Sequence, residues 1–331
     1  MLSWSSKVVL KKQSKPDLCG FSNKGWYLSS DIIPSETIAN AKSAMAEYYQ
    51  GRIDKRLPCS EAIANDGHNT NSAIRNNEFV TLQKRAFADL AFHPSILSIV
   101  SKLLDTPKIR LFADSLINKK PQLISCSGTV GWHTDKAYWP TCSSNQLLTA
   151  WIPLQDVSVE MGPLELITQS NNWHQNQEIK ALFGFGKPDL SQLEAKLKEL
   201  NYPFKKQLMT LKAGQVSFHH CDTIHCSRPN TSNINRVALA VHFQGEKNNY
   251  QVAYKDNGEK LQLVTISFAE EIKQGTQITM TQTFSHYFGI MAKKYFNPPH
   301  GLQLCFIFPW KLIIWRLHAY KIQKLLICPV F

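Results

Sequence analysis

Between residues 108 and 243 the chain is built from short apolar runs, and this constrains its fold more than any other feature. The runs cover residues 108–113, 147–154, 162–168, 207–211, 215–219 and 236–243. Each is rich in β-branched and aromatic residues and bounded by Gly, Pro, Asn or Ser. Many short strands punctuated by turn residues predict a sandwich or barrel. Before residue 105 the periodicity is helical instead. Ile38, Ala41, Met45 and Tyr48 recur at helical spacing behind Pro34-Ser35, with Ser35 suited to an N-cap and Gly51-Arg52 to a stop. A polar loop is expected over 52–77, a second helix over 79–92, and a third from Pro94 through Leu104. One polar helix, 190–200, interrupts the strands. Helices first and strands second, with no Gly/Ser-rich linker between them, predict one composite α+β domain.

Composition narrows the class. Of 331 residues, 43% are hydrophobic and 19% charged, which supplies a core and excludes a coiled coil or a disordered chain. No run of 18 apolar residues appears, so a membrane-spanning helix is not expected. The formal net charge is +12, concentrated at the two ends. Lys7, Lys11, Lys12, Lys15 and Lys24 face Asp17 alone, and Lys311, Arg316, Lys321 and Lys324 face no acid. No nucleic-acid motif accompanies this charge, so no nucleic-acid partner is expected. The first residues lack the apolar stretch of a secretory signal, and the eight cysteines form no CxxC pair. Reduced thiols in a cytoplasmic protein are the expectation.

The sharpest chemical feature is Trp132-His133-Thr134-Asp135. Residues two apart on a strand face one side, so an H-x-D pair presents an imidazole and a carboxylate to one point. Two ligands hold a metal poorly. The dense supply of a third lies about ninety residues on, in residues 218–227, where His219, His220 and His225 compete. Two His and one carboxylate on one face, with positions left open, suit a non-haem Fe(II) centre that admits O2 and a bidentate co-substrate. His225 is followed by Ser227 and then by Arg236, which opens an apolar strand. A buried Arg at a strand end requires an anionic partner, and a dicarboxylate co-substrate can supply it through a bidentate grip.

GWHTDKAYW, TAWIPLQDV, MGPLELITQS and GQVSFHHCDTIHCSRPNTSNINRVALAVHF together resemble the phytanoyl-CoA dioxygenase family, over about residues 30–245. The resemblance implies a double-stranded β-helix, the cupin-like jelly roll, preceded and flanked by helices. It also implies an Fe(II)- and 2-oxoglutarate-dependent dioxygenase that hydroxylates a small molecule with release of succinate and CO2, using O2 and supported by ascorbate. Residue by residue, it implies His133, Asp135 and His225 as iron ligands. Arg236 pairs with the distal carboxylate of 2-oxoglutarate, and Ser227 supports it. Asn118 matches a position near the co-substrate, Lys119 is a weaker candidate there, and Trp151 lines the same chamber. Halogenating relatives have Gly or Ala in place of the carboxylate, so Asp135 implies hydroxylation, desaturation or ring formation.

The chain departs from the family pattern at Thr134, where Gln is common, and in the loop 169–174, so its substrate is expected to differ from those of the best-known members. The rival reading is a non-catalytic cupin-like binding protein, which the three intact ligands disfavour. A zinc hydrolase leaves the Ser227 and Arg236 spacing unexplained, and Cys221 and Cys226 lack thiolate-ligand spacing. The expected domains are a basic irregular lead over 1–29, the dioxygenase-like domain over 30–245, and an extension over 246–331. The last thirty residues mix aromatics with Lys and Arg. Pro309 and Pro329 break their periodicity, so membrane contact is not the expectation.

Overall fold

The computed structural model describes residues 18–57, 73–122, 128–173, 177–184, 186–254 and 258–259. The first seventeen residues and the tail beyond 259, with the expectations attached to them, lie outside it. In chain order come α1 (Leu18–Lys24), β1 (Trp26–Leu28), α2 (Ser35–Tyr49), β2 (Ile74–Glu78), α3 (Arg85–Ala91), α4 (Pro94–Leu103), β3 (Arg110–Lys119) and β4 (Val130–His133). After these follow β5 (Leu147–Pro153), β6 (Leu164–Ile167), α5 (Gln177–Lys180), α6 (Ser191–Glu199), β7 (Lys206–Leu208), β8 (Ser217–His220), β9 (His225–Ser227) and β10 (Arg236–Gln244).

The strands form two antiparallel sheets, β1-β8-β5-β10-β3-β2 and β4-β9-β6-β7. Alternation along the large sheet builds two cores. On one face Leu148, Ala150, Ile152, Phe218, Val237, Leu239 and Val241 pack against Ile38, Phe87, Leu90, Ile96 and Val100 of the helices. On the other, Trp151, Ala238 and Ala240 meet Leu164, Leu166, Met209 and Leu211. A central strand buried on both faces reads as a continuous apolar run, and β5 is buried at all seven positions.

The helical layer departs from expectation at two points. Helix α2 starts at Ser35 with Pro34 as its N-cap and no side-chain cap, so Ser35 is the first helical residue. Helix α4 does begin at Pro94, and the His93 side chain accepts from Ser95 N at 3.3 Å. The helix expected over 79–92 is broken in two. Phe79 is left-handed (φ 55°) though buried, a conformation that costs a bulky side chain energy. Asp114 of β3 repays it: its Oδ1 accepts from Val80 N at 2.7 Å and Thr81 N at 3.3 Å, and its Oδ2 from Thr81 Oγ1 at 2.5 Å. Lys84 is then extended and bridged to Glu47 and Asp54 at 2.8 and 2.9 Å, and α3 starts after it.

The ends of the domain also differ. The irregular lead expected through residue 29 becomes regular from Leu18. β1 pairs with β8, and Gly25 O accepts from His220 N at 2.9 Å and Thr223 Oγ1 at 2.7 Å. The polar run 74–78 is strand β2, paired along β3, where a loop was expected. Packing continues past 245: Tyr250 is buried and bridges to Cys142, and Gln251 N donates to Thr141 O at 2.8 Å. Among the described residues, no helix is long and apolar enough to cross a membrane.

Candidate active site

The space between the sheets brings the sequence-derived ligands together. His133 closes β4 and stands opposite His225, the first residue of β9. Asp135 is not on the strand as expected; it opens a turn of 3-10 helix. Thr134 keeps extended geometry (φ −116°, ψ 146°), so the two-residue alternation carries through and Asp135 still faces the same side as His133. The ligand atoms of His133, Asp135 and His225 lie within 4.8 Å of one another, and all three residues are buried. His225 Nε2 is 3.6 Å from Asp135 Oδ1, and the two histidine ring centroids are 4.0 Å apart.

Hydrogen bonds set the tautomers. His133 Nδ1 is 2.8 Å from Gly131 O and His225 Nδ1 is 2.9 Å from Thr223 O. A carbonyl only accepts, so each Nδ1 carries the proton and each Nε2 offers a lone pair to the site. Burial pushes both imidazoles towards the neutral form, His225 well below its ordinary value, where His133 and His219 add to the effect. Burial alone would raise Asp135. The neighbouring His225 and His219 outweigh it and hold the carboxyl well below the usual range. Two neutral imidazoles and one ionised carboxylate, closed off from water, are the donor set of a divalent cation with open coordination positions. The residues therefore fit iron.

Beyond the triad lie two buried basic side chains. Arg236 of β10 and Lys119 of β3 are register partners on the inner face, 2% and 0% exposed. Lys119 Nζ donates to Ser227 Oγ at 2.6 Å and to Arg228 O at 2.7 Å. Ser227 stands two residues after His225, hence on the same face of β9. Arg236 donates to Gly162 O at 2.5 Å, while its Nε is buried without a partner. Gly162 is left-handed (φ 61°), and a Cβ there would collide with the carbonyls of Arg228 and Pro229, so the loop that receives Arg236 requires glycine. Arg236 stacks 5.4 Å from the Trp151 ring, whose Nε1 is also buried and unpartnered. Burial lowers Arg236 to about 10, and burial with the Arg236 charge lowers Lys119 to about 6. Among the described residues, no carboxylate pairs with either. A desolvated guanidinium, a buried lysine whose protonated form an incoming anion would favour, and two orphaned donors are a receptor for an anion, and a carboxylate of 2-oxoglutarate fits them.

Asn118 does not join this group. Its register partners are Val237, which packs on the helical side, and Arg75, which stacks 3.8 Å from the Tyr49 ring. Lys119 faces inward, so its neighbour on the strand faces outward, towards Tyr49 of α2. Thr134 likewise points away from the ligands it separates, its hydroxyl buried and unpartnered. Cys226 alternates with His225 and Ser227 and packs with Trp132, Ile167 and Ile224 on the outer side of the small sheet. Burial raises the thiols of Cys221 and Cys226, and neither belongs to the His133–Asp135–His225 cluster. His220 also leaves the chamber: its Nδ1 accepts from Asp222 N at 3.2 Å and its ring meets Phe21.

Sequence reasoning missed the partners of Asp135. Its Oδ2 accepts from Thr149 Oγ1 at 2.5 Å and from His219 Nε2 at 3.2 Å, and Thr149 contacts His242 Nδ1 at 2.8 Å. One signal was available for Thr149, which stands two residues before Trp151 and so shares its face.

The phytanoyl-CoA dioxygenase (PhyH) family model matches residues 22–238. A curated relative from Stutzerimonas stutzeri, named as a probable alpha-ketoglutarate-dependent hypophosphite dioxygenase, is 25% identical over 235 residues, 67% of this chain and 76% of its own. Among solved structures, EctD from S. alaskensis with 2-oxoglutarate and 5-hydroxyectoine superposes with a TM-score of 0.59 at 17% identity, covering 79% of this chain and 85% of that one. The alpha-ketoglutarate-dependent epimerase SnoN of nogalamycin biosynthesis gives 0.57 at 17%, covering 79% and 93%. These structures share the jelly-roll fold.

Proposed function

The chain belongs to the phytanoyl-CoA dioxygenase family and is an iron- and 2-oxoglutarate-dependent dioxygenase, and we propose that it oxidises a C–H bond of a small molecule, in the first instance by hydroxylation. One observation carries the proposal. The triad presents two imidazole lone pairs and a carboxylate oxygen beside a buried guanidinium and a buried lysine that lack any carboxylate of their own among the described residues.

Iron with 2-oxoglutarate and O2, when bound, supplies oxidative decarboxylation to succinate and CO2 coupled to oxidation of a substrate bond. The chain's own residues bind, orient and desolvate. His133 and His225 would hold the metal through Nε2 and Asp135 through Oδ1. Arg236 would receive the distal carboxylate with its fork, and Lys119 and Ser227 would complete the cradle. Trp151, Ala238, Ala240, Leu164 and Leu166 exclude water around it, which strengthens the ionic contacts.

The substrate is proposed to be a free small metabolite. Most of the charge excess that would suit an acyl-CoA belongs to residues 1–25 and 301–331, outside the stretch of sequence that carries the site residues. The test is succinate release by purified protein with Fe(II), 2-oxoglutarate and ascorbate, across a metabolite extract fractionated by size. Hypophosphite is included because it is the named substrate of the curated relative and offers P–H bonds. Stimulation by one fraction, dependent on both iron and 2-oxoglutarate, is expected. Turnover that needs neither would refute the mechanism, and oxidation of hypophosphite alone would refute the C–H assignment.

A further inference from the structure

Asp135 has two carboxylate oxygens, and the triad uses one. The structure accounts for the other. Oδ2 accepts from Thr149 Oγ1 at 2.5 Å and from His219 Nε2 at 3.2 Å. An ionised carboxylate only accepts, so Thr149 spends its single proton on Asp135. Its remaining contact, His242 Nδ1 at 2.8 Å, is then an N–H donated into the hydroxyl oxygen. This fixes the direction of the chain: His242 to Thr149 to Asp135.

The geometry comes from strand register. Trp26, His219, Thr149, His242 and Ala113 are successive opposite neighbours across β1, β8, β5, β10 and β3. Directly opposed residues share a face, so His219, Thr149 and His242 lie side by side, and the first two reach Asp135. A slip of one residue in β5 or β10 would turn Thr149 or His242 into the helical layer. The row ends at a bulge between His242 and Phe243. Beside it, the Trp139 ring sits edge-on to His242 at 4.9 Å and Phe112 edge-on to Trp139 at 5.0 Å, holding the imidazole from the side. Thr149 and His219 are each 2% exposed, so water does not compete for the carboxylate.

We propose that Thr149 is the positioning residue of Asp135, oriented in turn by His242, and that pinning Oδ2 leaves Oδ1 as the only carboxylate oxygen that ligates the metal. This rests on the triad being the iron site. Groups that orient a ligating carboxylate typically contribute about 10–100-fold in metal affinity. A merely structural hydrogen bond would instead alter unfolding and leave metal affinity alone.

The test uses the full chain stripped with EDTA and titrated with Co(II), read by visible absorption, with anaerobic Fe(II) in parallel. Unfolding of each metal-free variant is recorded alongside. Thr149→Val keeps the shape and removes the hydroxyl; it is expected to weaken Co(II) binding by about 10–100-fold. Thr149→Ser keeps the hydroxyl and is expected to stay within about threefold of the parent, since the donor to Oδ2 is retained. His242→Asn retains a donor near the Nδ1 position and should bind like the parent, whereas His242→Leu should lose about 3–10-fold. If Thr149→Val fails to fold, the Asn and Leu pair at His242 carries the same test. Parent protein that takes up no Co(II) would bring down the metal reading itself. Parent that binds while Thr149→Val, or both His242 variants, bind equally well would overturn this inference alone.

Discussion

Replacing Arg236 by Met should strengthen the empty protein and cripple its grip on 2-oxoglutarate. In the absence of an anion, the guanidinium is 2% exposed, makes one hydrogen bond to Gly162 O, and has a buried Nε without a partner. Burying an ion costs several kcal/mol that a neutral, similarly shaped side chain does not incur. Against this, Met leaves Gly162 O short of a donor, a loss of about 1–3 kcal/mol. The net expectation is a gain of about 1–2 kcal/mol in urea unfolding of the metal-free protein. With co-substrate the sign reverses. Two charge-assisted hydrogen bonds at about 1.5–3 kcal/mol each amount to a loss of about 3–6 kcal/mol, or roughly 10²–10⁴ in 2-oxoglutarate affinity. Arg236→Lys keeps the charge and loses the fork, so a smaller loss of about 10–100-fold is expected. Calorimetric titration of 2-oxoglutarate into the anaerobic Fe(II) protein measures the second quantity, and iron affinity should hardly change. A Met variant that is less stable when empty, and still binds 2-oxoglutarate normally, would refute the anion-receptor reasoning.

Lys119 gives a pH test. Its folded-state value, about 6, lies below that of a free lysine, so between the two the unfolded chain binds more protons. Stability of the metal-free protein should therefore rise with pH from about 6 towards 10, and Lys119→Met should flatten that slope in denaturant unfolding at pH 6.5, 8 and 9.5. Asp114→Ala should destabilise by about 2–4 kcal/mol, because it orphans the buried N–H groups of Val80 and Thr81; iron affinity per folded molecule should stay constant, and a marked drop would tie this cap to the site. Asp135→Ala should abolish both Fe(II) retention in equilibrium dialysis and succinate formation, and retained turnover would sink the triad assignment. Deletion through residue 28 strips β1 from β8 and removes the Gly25 carbonyl from Thr223 and His220; its thermal midpoint should fall well below that of a deletion ending at residue 17, and equal midpoints would contradict a structural role for α1 and β1.

Much of the site was legible because its information is local. His133 with Asp135, and His225 with Ser227, are pairs two residues apart, and the alternation of extended backbone is all that is needed to put each pair on one side. The same rule applied to β3 would have separated Asn118 from Lys119. Matching both to the co-substrate ignored that adjacent strand residues face opposite layers. The pairing of Thr149 with His242 was illegible for a different reason: the two meet only through the register of β5 against β10, strands about ninety residues apart. Distance in sequence also hid the break at Phe79. The window 79–92 is apolar at helical spacing, and what splits it is a carboxylate on β3 that captures Val80 and Thr81. Two of the missed strands, β2 (IRNNE) and β9 (HCS), are short and polar, without the apolar alternation that marks a strand.

The division of labour between the sheets explains why so few residues suffice. His133 and His225 belong to β4 and β9 of the small sheet, and Asp135 follows directly on β4. Thr149, His219 and His242, together with the anion receptors Arg236 and Lys119, belong to the large sheet. Metal ligands thus come from one layer, and the groups that orient the carboxylate and fix the co-substrate come from the other. The two layers are held in register by the apolar contacts of Trp151, Ala238 and Ala240 with Leu164, Leu166 and Met209. Separation of the sheets by even an ångström would stretch the 2.5 Å bond from Thr149 to Asp135 before it disturbed the His133–His225 pair, which lies within the small sheet. Metal affinity should therefore respond to packing between the sheets through Asp135 first. A cavity such as Leu166→Ala, costing about 2–5 kcal/mol in stability, is expected to weaken Co(II) binding of the molecules that remain folded. The corresponding cavity on the helical side, Leu239→Ala, is expected to lower stability by a similar amount and leave Co(II) binding intact. Equal loss of affinity in both variants would mean that the carboxylate is held by the fold at large rather than across this interface.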